Sequence, residues 1–131
     1  FQGDAGPVPD AKPPVGAIEI DLGAHGDHTI APWPGRLRVR AADAQSAGVP
    51  VDALRHARLR ARRAGDRFQS HPKGLPRALK KQFQDAGVPR WQRDGPVIET
   101  PDGVAWVCGL GIDARALAWP GQPRVTLHWV P

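Results

Sequence analysis

Prolines and glycines interrupt this sequence so often that a fold built on long helices is excluded. Fifteen of each occur in 131 residues, well above ordinary usage. Proline cannot continue a helix or serve a central strand, and glycine weakens both. With an apolar share of 40%, the chain can bury a modest core, but it must assemble that core from short elements joined by many turns. One domain of ordinary size is expected, mostly strand and loop, with no room for a two-domain enzyme.

Period-two patterning supplies the strands. "AIEIDLG" places Ile18, Ile20 and Leu22 on one side, and "RLRVRA" sets Leu37 and Val39 against Arg36, Arg38 and Arg40. "RHARLRARR" alternates again, predicting Ala57, Leu59 and Ala61 inward and Arg58, Arg60 and Arg62 outward. "PVIETPDGVAWVCGLGI" reads as a hairpin about Pro101-Asp102-Gly103. "RVTLHWV" puts Val125, Leu127 and Trp129 on a common face. Residues 4–16, "DAGPVPDAKPPVG", hold little to bury and read as a Pro/Gly-rich linker, with more chain expected upstream. Phe1 to Gly3 look like a remnant of a cleavable purification tag. The domain is therefore taken as 17–131.

One amphipathic helix is expected at about 76–86. Arg77, Lys80, Lys81 and Gln84 fall at i, i+3, i+4 and i+7, with Leu79, Phe83 and Ala86 opposite. Pro76 suits a first turn, Gly87 a left-handed residue past the end, and Pro89 a stop. "DARALA" from Asp113 predicts one further turn. The fold class expected is α+β, a small strand-rich domain with an antiparallel or mixed sheet and this one clear helix.

The charge is unevenly placed. From Arg55 to Asp94 there are 12 Lys or Arg against 3 Asp or Glu, and 6 against 10 elsewhere, within an overall +5. A block of that sign attracts polyanions, of which nucleic acid is the commonest, although a solvated arginine-rich surface would also read this way. Several cations on rigid elements suit phosphates, because each neutralised phosphate releases counterions and arginine can grip oxygens with two parallel bonds. Arg93 could instead cap the helix or pair with Asp94. Trp91, between Arg90 and Arg93, could stack on a base, but core packing is the preferred reading for it and for Trp106 and Trp129.

Other chemistry is thinly supported. Cys108 is the only cysteine, so there is no internal disulfide or cysteine-based metal site, and its apolar run predicts an inert buried thiol. His25-Gly-Asp-His28 could be half of a metal site but lacks further ligands and reads as a loop. Asp66, Asp85 and Asp94 form no catalytic dyad. No phosphate-binding loop, dinucleotide fingerprint or nucleophile elbow occurs, and no apolar run approaches the ~20 residues of a membrane span. The residues describe a binder, with no metal or membrane expected and a cytoplasmic location. An interaction or interdomain docking module with a basic face remains a rival, as does a small hydrolase around His25, Asp27 and His28.

The order Arg60-x-Arg62-Arg63-Ala64-Gly65-Asp66-Arg67-Phe68, then Leu79-Lys80-Lys81, then Gly87-Val88-Pro89-x-Trp91-x-Arg93 resembles the C-terminal domain of bacterial tRNA(Ile)-lysidine synthase. The likeness is strongest over 55–131 and continues through "GLGID" and Trp129. Where many relatives carry Gly-Gly-Glu, this chain has Ala64-Gly65-Asp66, which keeps an acid and the second glycine.

The resemblance implies a small α+β domain likened to a module of phenylalanyl-tRNA synthetase. It implies a full-length ligase that uses ATP and lysine to turn the wobble cytidine of isoleucine tRNA into lysidine. The chemistry belongs to an N-terminal domain with a Ser-Gly-Gly-x-Asp-Ser loop, which this chain lacks, so it should be inactive alone and need no cofactor. Its expected partners are isoleucine tRNA, chiefly at the acceptor stem, and the catalytic domain; a homodimer is compatible. The resemblance carries tRNA contact onto Arg60, Arg62, Arg63, Arg67, Lys80, Lys81 and Arg93, and Arg77 and Arg90 join on charge and placement. Leu79, Phe83, Gly87, Pro89 and Trp91 are assigned to holding the helix and its exit on the sheet.

Overall fold

The computed structural model describes residues 17–30, 33–43, 45–89, 93 and 95–130. The tag-like residues 1–3, the linker 4–16, and Arg90, Trp91 and Asp94 lie outside them.

Among the described residues, eleven short strands pair, antiparallel throughout, into three sheets. The first has the order β1 (Ile18–Ile20), β5 (Ala57–Arg60), β8 (Val97–Thr100), β9 (Gly103–Val107) and β10 (Gly111–Ile112). The second runs β2 (Gly26–Thr29), β3 (Arg36–Ala42), β11 (Arg124–Val130) and β4 (Val49–Pro50). β6 (Arg67–Phe68) and β7 (Arg77–Ala78) form a two-stranded ribbon. Helices α1 (Val51–Leu54) and α2 (Leu79–Asp85) are short, and Asp113 caps a single 3-10 turn, Ala114–Ala116, as "DARALA" predicts.

Two cores fix the layering. Leu37, Val39, Val125 and Leu127 of the four-stranded sheet meet Ala57, Leu59, Ile98 and Trp106 of the five-stranded sheet. On the other face of the five-stranded sheet, Val97 and Val107 meet Phe68, Leu79, Phe83 and Val88. The five-stranded sheet is thus covered on both faces, so β8 and β9 carry consecutive buried residues instead of alternation. A bulge adds to this. The β8–β9 register steps from Ile98↔Trp106 to Glu99↔Val104, leaving Ala105 as an extra residue that turns into the same core as Trp106. The Ala105 carbonyl, freed from the ladder, accepts the Asp113 N–H at 2.8 Å.

The four-stranded sheet instead keeps one face in water. Leu37 and Val39 are buried while Arg36 and Arg40 are exposed, as the alternation predicts. The hairpin about Pro101-Asp102-Gly103 and the β11 face of Val125, Leu127 and Trp129 also form as expected.

Four expectations change. Helix α2 starts at Leu79, not Pro76, because Arg77–Ala78 is drawn into pairing with Arg67–Phe68. Ala78 is the extended N-cap residue (φ −57°, ψ 141°), and the Leu79 N–H bonds the Asp66 carbonyl. At the other end Ala86 is an exposed cap rather than a core residue. Gly87 at φ 66° lets its own N–H reach Gln84 O and the Val88 N–H reach Phe83 O, a complete Schellman closure with Val88 packed on Phe83. Pro89 is exposed and Val88 does the packing assigned to it. Finally, Gly26–Thr29 is an edge strand instead of a loop, because Asp27 lies opposite Arg38 on β3 and binds two arginines there.

Gly95 marks the tightest backbone approach to the core. A Cβ there would lie 2.7 Å from Cys108 Cβ, with Cys108 Sγ closer still, and that short buried side chain cannot swing away. Gly95→Ala is expected to destabilise the domain by about 1–3 kcal/mol in urea unfolding. In a Cys108→Gly background, where those atoms are gone, the penalty of the same change should shrink.

Candidate nucleic-acid interface

The centre of the basic region is a buried ion cluster. Arg60, last residue of β5, is 5% exposed, because its outward face is the one covered by α2 rather than solvent. Its Nη1 and Nη2 donate to Asp66 Oδ2 and Oδ1, both at 2.9 Å, and its Nε lies 3.1 Å from Glu99 Oε2. Asp66 also accepts the Arg63 N–H at 2.7 Å, closing the turn through Gly65, which sits at φ 90°. Burial pushes the Asp66 carboxyl up, but bonds from the Arg60 guanidinium and the Arg63 N–H, with both positive charges nearby, outweigh it, and the net shift is downward. For Arg60 burial acts against the charge and the two carboxylates overcome it, so its pKa is raised.

That turn projects Arg62 and Arg63 outward beside α2. Arg62, Arg63, Lys80 and Arg93 line one open groove of about 600 Å³, floored by Leu79 and Phe83. The guanidinium carbons of Arg62 and Arg93 lie 5.1 and 5.0 Å from the Phe83 ring centre, so one buried aromatic orients two cations. Arg93 also donates from Nε and Nη2 to the Val88 carbonyl, at 2.9 and 2.7 Å. It locks the helix exit while forming a wall of the groove.

The remaining sequence candidates are spread more widely. Arg67 and Arg77 are exposed on the ribbon β6–β7 rather than in the groove, and Arg67 Nη1 reaches the Pro76 carbonyl at 3.4 Å. Lys81 faces solvent and lies 3.6 Å from Asp85, an exposed pair of little energetic weight. Arg63 makes a loose 3.6 Å contact with Glu99. Lys80 and Arg77 have no ion-pair partner among the described residues. Leu79 and Phe83 are buried, and Gly87 takes the left-handed conformation expected of it.

Residues that the alternation pattern passed over complete the support. Glu99 is the second acid of the cluster. Asp113, fully buried, accepts the Gln69 N–H at 3.1 Å and three N–H groups of Arg115 at 2.8–3.0 Å, while Arg115 Nη2 reaches Arg67 O at 3.4 Å. This staple ties the basic ribbon to the five-stranded sheet; the capping position of Asp113 was its only sequence signal. No group of three or more His, Cys, Asp or Glu among the described residues could hold a metal, and no described helix is long and apolar enough to cross a membrane.

Residues 57–129 match the family model described as the TilS substrate C-terminal domain. The chain belongs to this family. It is 35% identical over 104 residues to a tRNA(Ile)-lysidine synthase of Ralstonia nicotianae, covering 78% of this chain and 22% of that protein. The enzyme of the same name from Methylococcus capsulatus is 39% identical over 88 residues, 64% of this chain and 20% of the relative. A crystal structure of a TilS C-terminal domain superposes with a TM-score of 0.60 at 25% identity, over 88% of this chain and 97% of that one. The chain spans about a fifth of the length of the relatives named here. The small antiparallel strand-rich fold is that of the TilS C-terminal domain.

Replacing Arg60 by Met leaves Asp66 and Glu99 without their shared cation and is expected to cost roughly 3 kcal/mol, at the low end for breaking a buried pair because the Arg63 N–H still serves Asp66. The pH dependence has a definite sign. Since the folded-state pKa of Asp66 is depressed, its contribution is present above the ordinary carboxylate range near pH ~4 and is lost as pH falls through the lowered value. Urea unfolding at pH 7 and pH 3 should therefore show the gap between wild type and Arg60→Met narrowing in acid.

Proposed function

We propose that this TilS C-terminal domain grips isoleucine tRNA by its phosphate backbone, chiefly at the acceptor stem. It thereby holds the substrate while the remainder of a cytoplasmic, ATP-dependent enzyme joins lysine to the wobble cytidine. The observation that carries this reading is the groove. Arg62 and Arg63 come from a turn fixed by Asp66, Lys80 from the first turn of α2, and Arg93 from a position locked on the helix exit. Cations on rigid supports lose little side-chain entropy on engaging phosphates, and a duplex stem presents its backbone without demanding aromatic stacking. Among the described residues the groove displays charge over a floor of Leu79 and Phe83, with Phe83 fully covered.

Arg67, Arg77 and Lys81 extend the positive field on neighbouring exposed surface. Arg90 is kept as a contact by charge alone. Arg60 is withdrawn from the contact set, because its guanidinium is directed inward at two carboxylates.

The test is equilibrium binding to isoleucine tRNA across a salt series, comparing wild type with Arg62→Ala/Lys80→Ala. Losing two phosphate contacts should weaken binding about tenfold at low salt and reduce the slope of log K against log salt by roughly 1.4–1.8. Equal affinity and slope in the two proteins would remove the groove from the RNA surface and return the basic face to interdomain docking.

A further inference from the structure

A second cationic surface lies on the opposite side of the domain. On the outer face of the four-stranded sheet, away from Leu37 and Val39, β3 displays Arg36, Arg38 and Arg40 in a row. Opposite them on β11 the register places His128 against Arg38 and Thr126 against Arg40, both exposed. The strand spacing sets successive arginines about 7 Å apart, comparable to the separation of successive backbone phosphates. The two basic surfaces are divided by both cores and the five-stranded sheet, a depth of roughly 20 Å.

We propose that this arginine ladder is a second RNA-backbone contact, engaging a stretch of RNA other than the stem seated in the groove. The proposal rests on the tRNA-binding reading and adds a site to it. A face that served solubility alone would interleave opposite charges, and cross-strand acids would relieve the repulsion along β3. One such acid is present, Asp27 of β2 opposite Arg38; the β11 partners of the row, Val130, His128 and Thr126, supply none.

Asp27 acts as a brace. Asp27 Oδ2 accepts Arg36 Nε at 2.9 Å and Arg38 Nη2 at 3.2 Å, and Asp27 Oδ1 accepts Arg38 Nε at 2.9 Å. Bonds from the two arginines hold the Asp27 carboxyl at about 2, so the brace stays charged throughout the neutral range. Both terminal nitrogens of Arg36, and Nη1 of Arg38, remain without a hydrogen-bond partner among the described residues. Arg40 has no ion pair there either. The brace fixes two guanidinium groups and leaves their outer N–H groups to donate. Phosphate oxygens, which accept such donors in pairs, are the ligand chemistry that fits.

The experiment compares wild type, the ladder variant Arg36→Ala/Arg40→Ala and the groove variant Arg62→Ala/Lys80→Ala. Each is titrated with whole isoleucine tRNA and with a hairpin of the acceptor-stem sequence alone, across salt. Arg40→Gln, which leaves the Asp27 brace intact, is the companion should the double variant melt early. The ladder variant is expected to bind whole tRNA about five- to tenfold more weakly, with the salt slope reduced by roughly 1.4–1.8, and to bind the hairpin as wild type does. The groove variant should bind both ligands about tenfold more weakly.

Calorimetric stoichiometry separates the two sources of backbone. One tRNA per chain places both contacts on a single tRNA. Two per chain, falling to one in the ladder variant, means that a second RNA is bound there. A ladder variant matching wild type in affinity, slope and stoichiometry, while the groove variant fails, overturns this proposal alone. If neither variant differs from wild type, the tRNA-binding reading falls with it.

Discussion

The contact between Arg60 and Asp66 organises this domain more than any other polar interaction. It joins the end of β5 to the turn that leads into the basic ribbon, and through Glu99 it reaches across to β8. The Asp66 carbonyl then receives the Leu79 N–H, so one residue closes the turn with its side chain and starts α2 with its backbone. Helix α2, only seven residues long, could not persist by propensity. It exists because Leu79 and Phe83 are held against the sheet at a start set by Asp66 and an end set by Gly87. The groove is a by-product of that geometry, with one wall from the turn and the other from the helix.

What the sequence made legible depended on which faces meet water. β3 and β11 were readable because one side is core and the other solvent, so alternation reports burial directly. The turn at Pro101-Asp102-Gly103 carried its own local signal, and so did the Schellman end at Gly87. Arg60 was misread for the converse reason. Alternation correctly turned it away from Leu59, but the far face of the five-stranded sheet is roofed by α2, and outward there means into a second core. The same roof removed alternation from β8 and β9, and the extra residue Ala105 reset the phase once more.

The candidate site was legible in composition and only partly in placement. The charge asymmetry located the basic segment, and the motif likeness drew Arg62, Arg63, Lys80 and Arg93 together, as the groove does. Arg77 was missed as a ribbon residue because its pairing with Phe68 spans a loop that no local pattern records. The edge strand at Gly26–Thr29 was missed because it contains no apolar residue to reveal a period. Its pairing is supported by Asp27 and two arginines nine and eleven residues further on.

A count of cations therefore overstates what the basic segment can offer a ligand, and the discriminating property is where each charge finds its acceptor. Arg60 finds two carboxylates indoors, and a polyanion could reach it only by unfolding the turn. Arg93 satisfies the Val88 carbonyl just past α2 and keeps its charge at the groove wall, so it can strengthen a bound phosphate without being free to follow it. Lys80 and Arg77 are tied to no carboxylate among the described residues, and their charge is fully available. The ordering follows from desolvation. Bringing a phosphate to a cation already neutralised by a carboxylate must also bring it near that carboxylate, whereas an unpaired surface cation gives up only water and counterions. By this measure the outward charge of the domain is smaller than its composition implies, on the ladder as in the groove: Asp27 takes up part of the charge of Arg36 and Arg38, and Arg40 has no ion pair among the described residues.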